Sequence, residues 1–168
     1  MKNFLLGFAL LGLSWQAWGL CLLCDCVAST NSVAFGTYNP LSPSNITGVG
    51  DITVTCSAVL TLLQPNGEVS FSIRLSAGGS GTYSPRKMAS GSNRLNYNLY
   101  TASNHLSVWG DGSGGTVLVN DALTVPFILG LLSSASKTRT VYGLIPGGQA
   151  TVVPGTYTDT MTVTVTYN

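Results

Sequence analysis

The last fourteen residues, Gly155 to Asn168, constrain this chain more than any other stretch. From Tyr157 onward, Tyr157, Asp159, Met161, Val163, Val165 and Tyr167 alternate with Thr158, Thr160, Thr162, Thr164 and Thr166. A two-residue period sends alternate side chains to opposite faces of a β-strand. Nearly every position is β-branched or aromatic, types that suit a pleated, half-buried surface. Pro154-Gly155 marks a turn before it. The pattern predicts a long strand with one apolar face and one threonine face. Such a strand must be paired, or it becomes an edge that recruits another chain.

The rest of the chain is punctuated in the same style. Cys26 to Phe35 reads as a strand ending at Gly36. Asp51 to Cys56 alternates, with Ile52, Val54 and Cys56 on one face. Glu68 to Ser76 follows the turn Gln64-Pro65-Asn66-Gly67 and places Val69, Phe71, Ile73 and Leu75 together. Leu95, Tyr97 and Leu99 share a face, and Thr116 to Val119 and Thr138 to Leu144 read as further strands. Residues 125–132 are strongly apolar, but Pro126 and Gly130 argue against a central strand or a long helix. No amphipathic helix and no internal repeat is evident. Short strands with Gly and Pro between them predict a single all-β sandwich.

Composition places that sandwich outside the cytosol. Charged residues make up 8% of the chain and glycines number 20, a balance usual for extracellular β proteins. Lys2, the apolar run Phe4 to Leu13 and Ala17-Trp18-Gly19 read as a signal peptide over residues 1–19. The run is too short to span a bilayer. A domain over residues 20–168 remains, with six basic and six acidic side chains. It has no basic patch to attract nucleic acid or an anionic membrane.

Four cysteines, Cys21, Cys24, Cys26 and Cys56, follow the signal. An even count in a secreted chain favours disulfides, with three connectivities open. Cys21 and Cys24 have redox CxxC spacing but no βαβ pattern after them, and a zinc site would usually need a second such pair. Cys26 and Cys56 fall in the first two predicted strands, where a bridge could staple them.

Candidate chemistry is sparse. His105 is the only histidine and lies in a polar turn. No nucleophile elbow occurs. Asp111-Gly112-Ser113-Gly114-Gly115 lacks the Lys-Ser/Thr of a phosphate loop and the spaced ligands of a calcium loop, so a tight turn explains it. Arg86, Lys87 and Arg94 read as a solvated loop. Asp159 is the one carboxylate on the apolar face of the last strand, and it needs a partner if buried. No catalytic, cofactor-binding or metal residue is assigned, and no small-molecule substrate is expected.

Several stretches taken together resemble the spore coat protein U domain, a family that includes subunits of archaic, Csu-type chaperone–usher pili. They are Cys26, Val33-Ala34-Phe35-Gly36-Thr37-Tyr38-Asn39-Pro40, Ile52-Thr53-Val54-Thr55-Cys56, Arg86, Met88, and Leu95-Asn96-Tyr97-Asn98-Leu99-Tyr100. Trp109-Gly110-Asp111-Gly112, Thr140-Val141-Tyr142-Gly143, Gln149 and Gly155-Thr156-Tyr157-Thr158-Asp159-Thr160 continue the series. The resemblance implies an incomplete immunoglobulin-like β-sandwich completed by a donor strand. A periplasmic chaperone fills its groove first, and a neighbouring pilus subunit replaces the chaperone at the outer-membrane usher. It further implies chaperone and donor-strand contacts at Met161, Val163, Val165 and Tyr167, a Cys26–Cys56 disulfide, and Cys21–Cys24 as an additional local pair. The product would be a pilus subunit at the cell surface, secreted through the periplasm and acting in attachment and biofilm formation. The alternative is a spore-coat or extracellular-matrix protein of the same fold that no usher assembles.

Only Leu20 to Asp25 precede Cys26 in the expected mature chain, a short reach for a donor strand. The chain is therefore expected to accept a strand better than it gives one, which suits a fibre tip. Phe127, Ile128, Leu129, Leu131 and Leu132 form a candidate adhesive loop, and Leu60, Leu62 and Leu63 a second apolar group.

Overall fold

A computed structural model describes residues 24–58, 66–126 and 133–168. The signal peptide read over 1–19, Cys21, Leu60, Leu62, Leu63, Phe127, Ile128, Leu129, Leu131 and Leu132 lie outside the described residues.

Among the described residues, eight strands form two antiparallel sheets, an all-β sandwich. The strands are β1 (Cys24–Asn31), β2 (Ile46–Ala58), β3 (Asn66–Leu75), β4 (Arg86–Ser90), β5 (Asn93–Tyr100), β6 (Val119–Pro126), β7 (Ser133–Ile145) and β8 (Val163–Tyr167). The larger sheet runs β1-β2-β7-β5-β4 and the smaller β6-β3-β8. Period-two alternation explains the core. Ile52, Val54 and Cys56 of β2 meet Val69, Phe71, Ile73 and Leu75 of β3, with Leu95 and Leu99 of β5 and Val125 of β6. Each such side chain contributes about 1.5–3 kcal/mol when fully buried. Trp109 closes one end, its indole N–H donating to the Ile73 carbonyl at 3.1 Å. Asp121 on β6 bridges the sheets by ion pairs to Lys137 (2.8 Å) and Arg139 on β7. Burial would raise the Asp121 carboxyl, but hydrogen bonds from Lys137, the Ala122 N–H and Arg139 outweigh it and hold the carboxyl below its ordinary value.

Three sequence expectations are corrected. The first strand ends at Asn31 rather than at Phe35. Residues 32–37 instead leave the sheet edge and cross the inner face of β2 and β7. Glycines make that crossing feasible. A Cβ on Gly48 would stand 2.6 Å from the Ala34 carbonyl oxygen, and one on Gly50 2.5 Å from that of Asn31. A Cβ on Gly143 would collide with the Phe35 ring.

The long closing strand is also divided. Its alternation of half-buried and exposed side chains persists from Tyr157, but only Val163–Tyr167 pairs as a strand, against β3. Upstream, Thr158 exchanges backbone hydrogen bonds of 2.8 and 3.0 Å with Ala89 at the edge of β4. The Thr162 carbonyl then accepts from Ser76 N–H at 3.0 Å. The segment therefore passes from the larger sheet to the smaller, because each sheet offers it an edge over part of its length.

Arg86 is not in a solvated loop. It is 0% exposed, while Lys87 and Arg94 are exposed. Its guanidinium donates to the Ser76 carbonyl, to Asn98 Oδ1 at 2.7 Å and to the Trp109 carbonyl at 2.7 Å. Tyr83 covers it, with the ring centroid 4.9 Å from Cζ. A charge is tolerated in a core only when its donors are matched in this way.

Candidate functional site

The crossing of residues 32–37 and the sheet switch of residues 156–163 leave a gap between them. An open groove of about 610 Å³ runs there. One wall is residues 30–37, with Val33 and Phe35. The other is residues 156–161 with Val163. The floor is Ile52, Val141, Leu99, Tyr97 and Met88, one or two side chains from each of β2, β7, β5 and β4, with Leu75 from the smaller sheet. Among the described residues β8 pairs only with β3, so its other edge has no strand partner, and the groove meets that strand at Val163. An unpaired edge beside an apolar trough can take an extended chain, by main-chain hydrogen bonds along the edge and alternate side chains into the floor.

One polar cluster interrupts the apolar lining. Tyr97 O–H donates to Asp159 Oδ2 at 2.7 Å and lies 3.6 Å from the Met161 sulfur. Asp159 Oδ1 accepts the N–H groups of Gly79 and Thr160, each at 2.8 Å. Burial, and then the Asp159 carboxylate, push the Tyr97 phenol well above its ordinary value, so it remains a donor. Among the described residues Asp159 thus finds its partners in neutral donors and not in a cation. The Phe35 ring meets Tyr97 edge-on at 6.1 Å, tying wall to floor.

The residues singled out in the sequence divide by position. Met161 and Val163 line the groove. Val165 is half-buried against the core. Tyr167 is 39% exposed beyond the groove, its hydroxyl donating to Asp25 Oδ1 at 3.2 Å. Cys26 and Cys56 face each other across β1 and β2 and are disulfide-bonded. Cys24 lies in β1 and is not a free thiol. His105 sits in a turn with φ 55° and packs edge-on against Tyr100 at 5.1 Å. Asp111 accepts the Ser113 N–H and hydroxyl inside its own turn. Among the described residues no three His, Cys, Asp or Glu side chains converge as metal ligands.

Sequence reasoning missed the wall at residues 32–37 and the buried Arg86. Glycines inside strands, here Gly48, Gly50 and Gly143, are a signal of close backbone approach that could have revealed the wall.

The model of the Spore Coat Protein U domain family matches residues 16–164. No curated protein matches the sequence. A similar solved structure is a chaperone–tip adhesion subunit pre-assembly complex, CsuC–CsuE, from archaic chaperone-usher Csu pili of Acinetobacter baumannii. Identity is 21% and the TM-score 0.49, over 85% of this chain and 40% of that one.

Proposed function

Because this chain belongs to the Spore Coat Protein U domain family, we propose that it is a non-catalytic subunit of a chaperone–usher surface pilus, built to accept a strand from another polypeptide. The observation that carries this reading is the open apolar groove between residues 30–37 and 156–163, which reaches the unpaired edge of β8 at Val163. A periplasmic chaperone would occupy the groove first. A neighbouring subunit would replace it at the outer-membrane usher, leaving the subunit in a fibre at the cell surface.

Attachment to surfaces and biofilm formation follow as its role, with a place at the fibre tip. Residues from Cys24 on support the tip position, because β1 pairs along its whole length with β2, from Cys24 opposite Ala58 to Asn31 opposite Asp51. They are taken up in the subunit's own sheet and do not form a free donor arm. A coat or matrix protein that is not usher-assembled would have no need of an open edge.

The test is periplasmic co-expression with a chaperone of an archaic pilus system. The chain is expected to co-purify with the chaperone as a soluble complex and to aggregate alone. Met161→Asp and Val163→Asp, which place charge in the trough, should abolish the complex. A chain equally soluble and equally stable without any chaperone would overturn the reading.

A further inference from the structure

The groove carries information about the chemistry of its occupant as well as its shape. Its inward-facing side chains are apolar or neutral except for Asp159. Asp51 also borders the groove, but alternation with the buried Ile52 turns its carboxylate to the outer face, where Asn31 Nδ2 donates to both oxygens at 3.1 and 3.0 Å. The Asp159 carboxylate is fixed in place. Tyr97 and the Gly79 N–H grip it from two sides, and a methyl group on Gly78 would collide with it.

Among the described residues no lysine, arginine or histidine forms an ion pair with it, and the ion pairs present join Asp121 to Lys137 and Arg139. Arg86 is near enough to feel its charge, but it is fully buried and directs its donors to Ser76, Asn98 and Trp109. While the groove is open, water can hydrate the free side of the carboxylate. An apolar strand in the groove would displace that water and leave the anion facing a medium of low dielectric, where an uncompensated charge is costly and a matched one strongly attractive.

We infer that the strand filling this groove is an alternating apolar segment with one lysine or arginine facing Asp159. This deepens the strand-acceptor reading above and rests on it. Asp159 would then set register as well as affinity, since a one-residue slip turns the basic side chain to the opposite face.

The test uses the full chain refolded with extended valine–threonine peptides of about twelve residues. Each inward valine in turn is replaced by Lys, Gln or Glu, and affinity is read by fluorescence anisotropy. One register is expected in which the Lys peptide binds roughly tenfold tighter than the Gln peptide, and the Glu peptide weaker than both. The Lys advantage should shrink with added salt, and in Asp159→Asn the Lys and Gln peptides should bind alike. If Lys, Gln and Glu peptides bind alike in every register, the inference is overturned and the strand-acceptor reading stands. If no peptide binds, both are overturned. Should Asp159→Asn fail to fold, the salt series on the unaltered chain decides, and a Lys advantage insensitive to salt overturns the inference.

Discussion

The phenol of Tyr97 donates a 2.7 Å hydrogen bond to Oδ2 of Asp159, a residue 62 positions further along the chain. It joins the groove floor on β5 to the wall formed by the C-terminal segment. Because burial and the carboxylate both favour the neutral phenol, the folded state keeps a proton that the unfolded chain releases near pH ~10. The stability this contributes is complete below that pH and is lost as the pH rises through the higher folded value. Tyr83 and Tyr100, also raised chiefly by burial, add to the slope. Tyr97→Phe is expected to lower stability at neutral pH by about 1.5–3 kcal/mol and to make the alkaline decline shallower. Urea denaturation between pH 8 and 11, on the order of the tyrosine range, measures both. A decline as steep in the variant as in the unaltered chain would refute the assignment.

Arg86 stands opposite Tyr97 in the register of β4 and β5. Arg86→Met preserves bulk but leaves the Trp109 carbonyl without its donor and Asn98 Oδ1 with only the Leu99 N–H. The loss should reach about 3 kcal/mol, read as a lower urea midpoint. Arg86→Lys should recover little, because an ammonium cannot reproduce the planar fork that reaches three separate acceptors. Full recovery by lysine would mean that charge alone, and not geometry, is needed.

The groove wall at residues 32–37 depends on missing side chains beneath it. Gly143→Val places methyl groups where the Phe35 ring and Val33 lie, and Gly48→Val does so against Ala34. Either change should cost about 1–3 kcal/mol by overpacking. The displacement should be local, with faster amide hydrogen exchange over residues 32–37 and weaker strand-peptide binding, while β3 and β6 keep their protection. Unchanged exchange in the wall would show that it yields without cost.

The Cys26–Cys56 bridge closes a loop with a sequence separation of 30. On the chain-entropy account, Cys26→Ala with Cys56→Ala should destabilise the sandwich by about 3–4 kcal/mol. Thermal melting under oxidising and reducing conditions checks this. The unaltered chain should fall toward the variant on reduction, and the variant should not respond at Cys26 or Cys56.

Much of the sandwich is legible in the sequence, because a period of two states which side chains share a face without reference to anything distant. Ile52 and Val54, Val69 to Leu75, Leu95 to Leu99 and the alternation from Tyr157 are all placed on their buried faces by that rule alone. The same rule is silent about partners. It reads residues 157–167 as one strand, whereas Thr158 bonds to Ala89 on one sheet and Val163 pairs with Leu75 on the other. It also cannot tell a buried charge from a solvated one. Arg86 looks like its neighbour Lys87 until Ser76, Asn98 and Trp109 are brought around it.

By itself the sequence determined the class of fold, the faces of its strands and an end that wants an edge to pair with. Tertiary structure decided where that edge is left open, how residues 32–37 wall it and that Asp159 stands inside it. The physical reason is range: side-chain alternation is settled between neighbours, while pairing, closure and the matching of a buried charge depend on groups that meet only after the chain has folded back on itself.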